Sequence, residues 1–123
     1  MRKLTILGSR ASWLLVSLTL VACGGAAVPQ QKLTSAQAAL KGAEVGGAAE
    51  DPQSALYLKL AREELEKANA LIADSNNEEA ERVLDRSLAD SEAALALATE
   101  AHQKKEAAQA KEQAEELKAR IQK

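Results

Sequence analysis

Apolar residues recur at three- and four-residue spacings in three consecutive segments of the chain, the pattern of helices with one buried face. In the first segment, Thr34 followed by Gln37 fits a capping box, and Gly46 with Gly47 ends the pattern. The sequence therefore predicts a short helix over about 35–45. Its apolar face consists of Leu33, Ala36, Leu40 and Ala43.

The second segment begins at an acid followed by proline. Asp51 stands at an N-cap position and Pro52 at the first helical position, where proline is well tolerated. These residues predict a helix over about 52–73. Its apolar face consists of Leu58, Ala61, Leu65, Ala68, Leu71 and Ile72.

A polar turn separates the second segment from the third. Residues 74–77 are Asp, Ser, Asn and Asn, which favour caps and turns over helix interiors. We expect a helix over about 77–122 that folds back antiparallel on the second one. The alternative is a single rod from Pro52 onward. The predicted inner face of the third helix consists of Ala80, Leu84, Leu88, Ser91, Leu95, Ala98 and His102.

The second half of the third helix has no partner of matching length, because the second helix has only about 22 residues. From about Ala101 onward, the chain should project as an arm that is either a frayed, solvated helix or a docking surface. The fold class expected is all-α, an antiparallel helical hairpin with a short preceding helix and a long projecting C-terminal helix. The heptad-like stripe on the arm consists of Ala107, Ala110, Ala114, Leu117 and Ile121.

The N-terminal residues have the order of a secretory signal. Arg2, Lys3 and Arg10 precede the uncharged run 11–21, which is too short for the roughly 20 residues of a membrane-spanning helix. Residues 1–22 are therefore predicted to be a signal peptide that is absent from the mature protein. The helical domain is expected over residues 33–123.

The only cysteine of the chain, Cys23, directly follows this run. Residues 20–23 (Leu-Val-Ala-Cys) resemble the lipobox of bacterial lipoproteins. The resemblance implies acylation of Cys23 and cleavage between Ala22 and Cys23, whereas the alternative is an ordinary signal peptide with an incidental cysteine. No aspartate follows the cysteine, so by analogy with a bacterial sorting rule we expect an outer-membrane anchor facing the periplasm. Residues 23–32 should form a lipidated, flexible tether.

Composition narrows the function of the mature chain. The signal contains three of the 16 basic residues and none of the 18 acidic ones, which leaves a formal charge of −5. An acidic chain is a poor ligand for phosphate backbones, so nucleic-acid binding is excluded. Tyr57 is the only aromatic residue after the signal, and alanine, leucine, glutamate and lysine dominate, as in helices packed through small side chains.

Catalytic candidates are few. Ser87 and Ser91 have no base near them in sequence, and His102 with Glu106 supplies at most two ligands of a metal site. We therefore interpret His102 as a half-exposed helix residue, and we expect no enzyme activity, no cofactor, no metal and no small-molecule substrate.

The lipobox, the alanine-rich first helix, the acid–proline start and the run from Leu60 to Ala98 together resemble a family of small bacterial lipoproteins known as domain of unknown function 4398. The resemblance covers about Leu33 to Ala101 and implies an envelope protein. The resemblance assigns no catalytic or ligand-binding role to any residue of this chain.

These features predict a non-enzymatic lipoprotein that acts as a helical interaction module in the periplasm, with an envelope protein or a second copy as its partner. The alternative is a structural spacer or peptidoglycan tether acting through the long C-terminal helix. Lys123 bears on that alternative, because one acylated, alanine-rich lipoprotein is joined to peptidoglycan through a C-terminal lysine. A basic helix end also complements the helix dipole without any linkage.

Overall fold

The computed structural model describes residues 26–122, in which the chain forms three helices and no strand. Helix α1 spans Gln30–Val45, α2 spans Pro52–Ala73 and α3 spans Asn77–Ile121. The expected all-α fold class, with a helical hairpin and a long projecting C-terminal helix, is confirmed. The end of α3 lies one residue before the predicted one.

Helices α2 and α3 form an antiparallel hairpin, so the alternative of a single rod is wrong. The start of α2 lies beside the middle of α3, where the Ser54 hydroxyl donates to the Ala94 carbonyl at 2.6 Å. The chain reverses over residues 74–76, and there Ser75 adopts the left-handed conformation with φ 61°.

The predicted start of α2 is confirmed in detail. The Asp51 carboxylate accepts hydrogen bonds from the backbone N–H groups of Gln53 at 3.0 Å and Ser54 at 2.9 Å. Pro52 occupies the first helical position, where its missing N–H costs no hydrogen bond.

Helix α1 begins at Gln30, five residues before the predicted start at Ser35. The capping-box prediction fails because the Thr34 hydroxyl donates to the Gln30 carbonyl at 2.9 Å, a contact made inside a helix. The first turn is fixed from outside by Lys32, whose ammonium group lies 2.9 Å from the Glu81 carboxylate and 2.7 Å from that of Asp85. Residues 30–32 therefore belong to α1, and the predicted tether over 23–32 ends earlier, before residue 30.

Helix α1 packs on the hairpin and runs in the same direction as α3. Its first turn contacts the beginning of α3, and its last turn approaches Ala94 and Ala98. It also contacts α2, where Arg62 donates to the Glu44 carboxylate at 2.7 Å. This bond, with a second one from Lys41, holds the pKa of Glu44 below its usual value.

The core consists of two small clusters along the hairpin, and alanine supplies four of the five buried residues of one and two of the four of the other. Small side chains let the helices approach closely, and the buried Ser87 hydroxyl donates to the Ala61 carbonyl of α2 at 2.8 Å. Ser54 and Ser87 were not among the residues predicted for the buried helix faces. Ser54 precedes the predicted apolar residue Leu58 by four positions, and Ser87 directly precedes Leu88. One cluster contains Ala43, Ala48, Leu58, Ala94 and Ala98, and the other contains Ala36, Ala68, Val83 and Leu84.

Candidate interaction surface

The chain enters the fold beside the start of α3. The Asn77 side-chain amide donates to the Ala26 carbonyl at 2.5 Å, so the segment leading to α1 lies at the end of the hairpin that carries the 74–76 turn. The predicted cleavage and lipidation residues, Ala22 and Cys23, lie outside the described residues, and Lys123 does as well. Of the predicted tether, residues 26–29 have no regular secondary structure and residues 30–32 belong to α1.

The arm comprises residues 102–122 and lies at the opposite end of α3. Ala101 is half-buried, and every residue from His102 to Gln122 is exposed. The helical part of the arm, through Ile121, extends roughly 30 Å beyond the hairpin at 1.5 Å per residue. The expected projection of the C-terminal helix is thereby confirmed over the described residues.

We refer to Ala107, Ala110, Ala114, Leu117 and Ile121 as the arm stripe. Its two large side chains are well exposed, Leu117 to 59% and Ile121 to 83%. Helix-stabilising ion pairs lie elsewhere on the same helix, with Lys104 Nζ 2.6 Å from Glu100 Oε1 and Arg120 bonded to Glu116. The Glu100 contact raises the pKa of Lys104.

The arm stripe does not continue the buried face of α3. Ala110 follows the buried Ala98 by twelve residues, and at roughly 100° per residue it is rotated by about a third of a turn from it. The apolar surface of the arm therefore points away from the side on which α1 and α2 pack. A molecule bound to the stripe would therefore contact a different face of α3 from the one that packs on α1 and α2.

Residues 31–122 match the family described as Domain of unknown function (DUF4398), which covers about three quarters of the chain. The chain belongs to this family. The match extends past the expected limit at Ala101 and includes the arm, so the arm is part of the DUF4398 region. No curated protein and no solved structure matched the chain.

A small cleft of about 150 Å³ lies where the DUF4398 hairpin ends and the arm begins. Glu50 and Asp51 lie on one side of it, and His102 and Lys105 on the other. His102 Nε2 lies 3.7 Å from Glu50 Oε2. Acidic and basic groups therefore face each other across the cleft.

The sequence-based catalytic and metal candidates do not converge. The Ser87 hydroxyl donates to the Ala61 carbonyl of α2, and the Ser91 hydroxyl donates to the Ser87 carbonyl within α3 at 2.7 Å, so both hydroxyls are already engaged. His102 is a half-exposed helix residue, as predicted, with 46% of its side chain exposed, and it faces the loop residue Glu50. Within residues 26–122, no three His, Cys, Asp or Glu side chains are grouped as metal ligands.

Glu64 of α2 is an electrostatically strained residue that the sequence reasoning missed. Its side chain is only 22% exposed, and burial together with the neighbouring Asp90 carboxylate raises its pKa. Arg86 lies 3.4 Å from one carboxylate oxygen, whereas the other, Oε2, is buried without a hydrogen-bond partner among the described residues. Its position directly before Leu65, at the edge of the apolar stripe, was the available signal of partial burial.

Helices of the described region are amphipathic and alanine-rich. None of them combines the length and the sustained apolar character needed to cross a bilayer.

Proposed function

We propose that this chain is a non-enzymatic lipoprotein of the bacterial envelope, anchored through Cys23, whose DUF4398 hairpin presents the arm as a protein-interaction module in the periplasm. In this proposal, the lipid on Cys23 inserts into the outer membrane. The signal-like N-terminus and the lipobox at 20–23 support the anchor.

The separation of the two ends of the molecule carries the proposal. Ala26, three residues after the proposed lipidation site, is bonded to Asn77 at the start of α3. The exposed arm stripe lies at the other end of the same helix, which at 45 residues is roughly 68 Å long. A lipid at residue 23 would thus hold the hairpin near the membrane and direct the stripe away from it.

The stripe is suited to a protein partner because its large aliphatic side chains take no part in the core of the described residues. Leu117 and Ile121 belong to neither core cluster, and exposed aliphatic side chains grouped on one face of a helix are typical of binding surfaces. The hairpin also exposes large aliphatic side chains, Leu56 to 55% and Leu60 to 38%, so the position of the stripe at the far end of α3, and not its apolar character alone, supports it as the binding face.

A photo-crosslinking amino acid at Leu117 tests the proposal in intact cells, with the same group at Glu116 as a matched control on a neighbouring face. We expect a crosslinked protein adduct from position 117 that disappears when Cys23 is replaced by serine. Equal adducts from both positions, or none from either, would contradict the proposal.

The second candidate function is a structural spacer or peptidoglycan tether, and the unbroken length of α3 favours it. Removal of one heptad within 107–121 shortens a spacer by about 10 Å but leaves much of a binding surface in place. Leu117→Lys leaves the length of the helix unchanged but places a charge on the binding surface. Loss of function by the deletion alone therefore indicates a spacer, and loss by the substitution indicates a binder. A tether would also yield a muropeptide linked to Lys123 after peptidoglycan digestion.

A further inference from the structure

The charges that flank the arm stripe have a heptad order. With Ala107, Ala114 and Ile121 at a positions and Ala110 and Leu117 at d positions, Lys111 and Lys118 occupy e positions. Glu106, Gln113 and Arg120 occupy g positions. In a parallel pair of helices, each g residue faces the e residue five positions later on the other helix.

We propose that the partner of the arm stripe is a second copy of this chain, paired parallel and in register, which rests on the proposed function and specifies its partner. In that arrangement, Glu106 of each copy faces Lys111 of the other, which gives two opposite-charge contacts. Gln113 faces Lys118, which is electrostatically neutral. No like charges meet at the seam.

An antiparallel pair is less favourable. It would bring Glu106 toward Arg120, but Arg120 is already bonded to Glu116 of its own helix. It would also place the e residues Lys111 and Lys118 of the two copies beside each other. The flanking charges therefore favour the parallel orientation.

The direction of α3 supports the same orientation. Because Ala26 lies at the start of α3, copies held in one membrane by residue 23 would all direct their arms away from it, and neighbouring arms would already be parallel. Membrane confinement also raises the effective concentration of one copy around another. This matters because three of the five seam residues are alanine, which permits close approach but contributes little buried apolar area.

Cysteine crosslinking in isolated membranes of cells that express the full chain tests the proposal. Ile121→Cys places a thiol at an a position, and Ala119→Cys places one at the outward-facing f position two residues away. A disulfide requires Cα atoms within about 7 Å of each other, which parallel, in-register arms provide at position 121. An antiparallel pair centred on the stripe would separate these thiols by about 20 Å or more.

We expect mild oxidation to yield several-fold more disulfide-linked homodimer from Ile121→Cys than from Ala119→Cys. Mass spectrometry should identify a peptide joined through position 121 of both copies. The parent chain provides the background from Cys23. Equal yields from the two variants would overturn the proposal.

Charge exchange gives a second readout in the same assay. Adding Lys111→Glu to the Ile121→Cys chain should reduce the homodimer several-fold, because Glu106 would then face a glutamate. Further addition of Glu106→Lys should restore it. Failure of this rescue would contradict the parallel register.

The experiment separates this proposal from the proposed function. A Leu117 crosslink to a different protein, without homodimer from Ile121→Cys, would overturn self-association and leave the interaction module standing. Absence of both products would overturn both.

Discussion

Replacement of Glu64 by glutamine should make the fold more stable at neutral pH. The wild-type carboxylate has a raised pKa, so in the folded state it resists losing its proton. One of its oxygens is buried without a hydrogen-bond partner among residues 26–122, which typically costs about 1–3 kcal/mol. Glutamine keeps the shape of the side chain, removes the charge and can donate a hydrogen bond toward Asp90.

The substitution also removes the ion pair with Arg86. That pair is long, at 3.4 Å, and the Arg86 side chain is 59% exposed, so its loss should cost about 1 kcal/mol or less. The free energy recovered by replacing the buried carboxylate therefore exceeds the free energy lost with the Arg86 ion pair. We therefore expect Glu64→Gln to raise the free energy of unfolding at pH 7 by about 1 kcal/mol.

The sign of the pH dependence follows from the raised pKa. The group contributes its stability in full below its unfolded pKa, near 4.5, and that contribution is lost as the pH rises through the folded pKa. The advantage of the variant should therefore be absent near pH 4 and should grow toward pH 7.

Urea denaturation of the mature chain, followed by circular dichroism at 222 nm at several pH values, measures this difference. Glu63→Gln is the matched control, because Glu63 is 58% exposed and only forms a 3.6 Å pair with Lys59 on its own helix. The control should change the free energy of unfolding by a few tenths of a kcal/mol. A destabilised Glu64→Gln protein at pH 7, or a difference that does not depend on pH, would show that the buried carboxylate does not destabilise the fold.

Other predictions concern the helix ends and the arm, and the same denaturation assay checks them. Gly47→Ala should lower the free energy of unfolding by about 1–2 kcal/mol, because Gly47 has φ +81°, where a Cβ atom is strained. Gly42→Ala should raise it by about 0.5–1 kcal/mol, because Gly42 is helical and no atom lies within 4 Å of the added Cβ; equal effects at the two glycines would contradict this. Ending the chain after Ala101 should change the hairpin stability by less than about 0.5 kcal/mol, since every described residue beyond it is exposed; a larger loss would mean that the arm packs on the hairpin.

Local signals in the sequence were sufficient to predict the helices, the hairpin and the arm. Asp51 and Pro52 define the start of α2 through contacts within four residues, and the polar run 74–77 marks the reversal. The exposed arm followed from counting residues, because a helix of 22 residues cannot cover one of 45.

The features that were missed depend on contacts between distant residues. The first turn of α1 is held by Lys32 against Asp85, which lies 53 positions away. The capping signal at Thr34 could not reveal that contact. The parallel arrangement of α1 and α3 and the burial of Glu64 beside Asp90 likewise arise only when the helices pack. Periodicity identifies the buried face of a helix but not the helix that covers it.

Metabolic labelling with a clickable fatty acid tests whether the chain is a lipid-anchored envelope protein. Cells expressing the native chain should yield a labelled polypeptide that stays with the membrane, and mass spectrometry should locate the acyl groups on Cys23 at a new N-terminus. The Cys23→Ser chain should carry no label. An unlabelled native chain that is released by an aqueous wash would contradict the account.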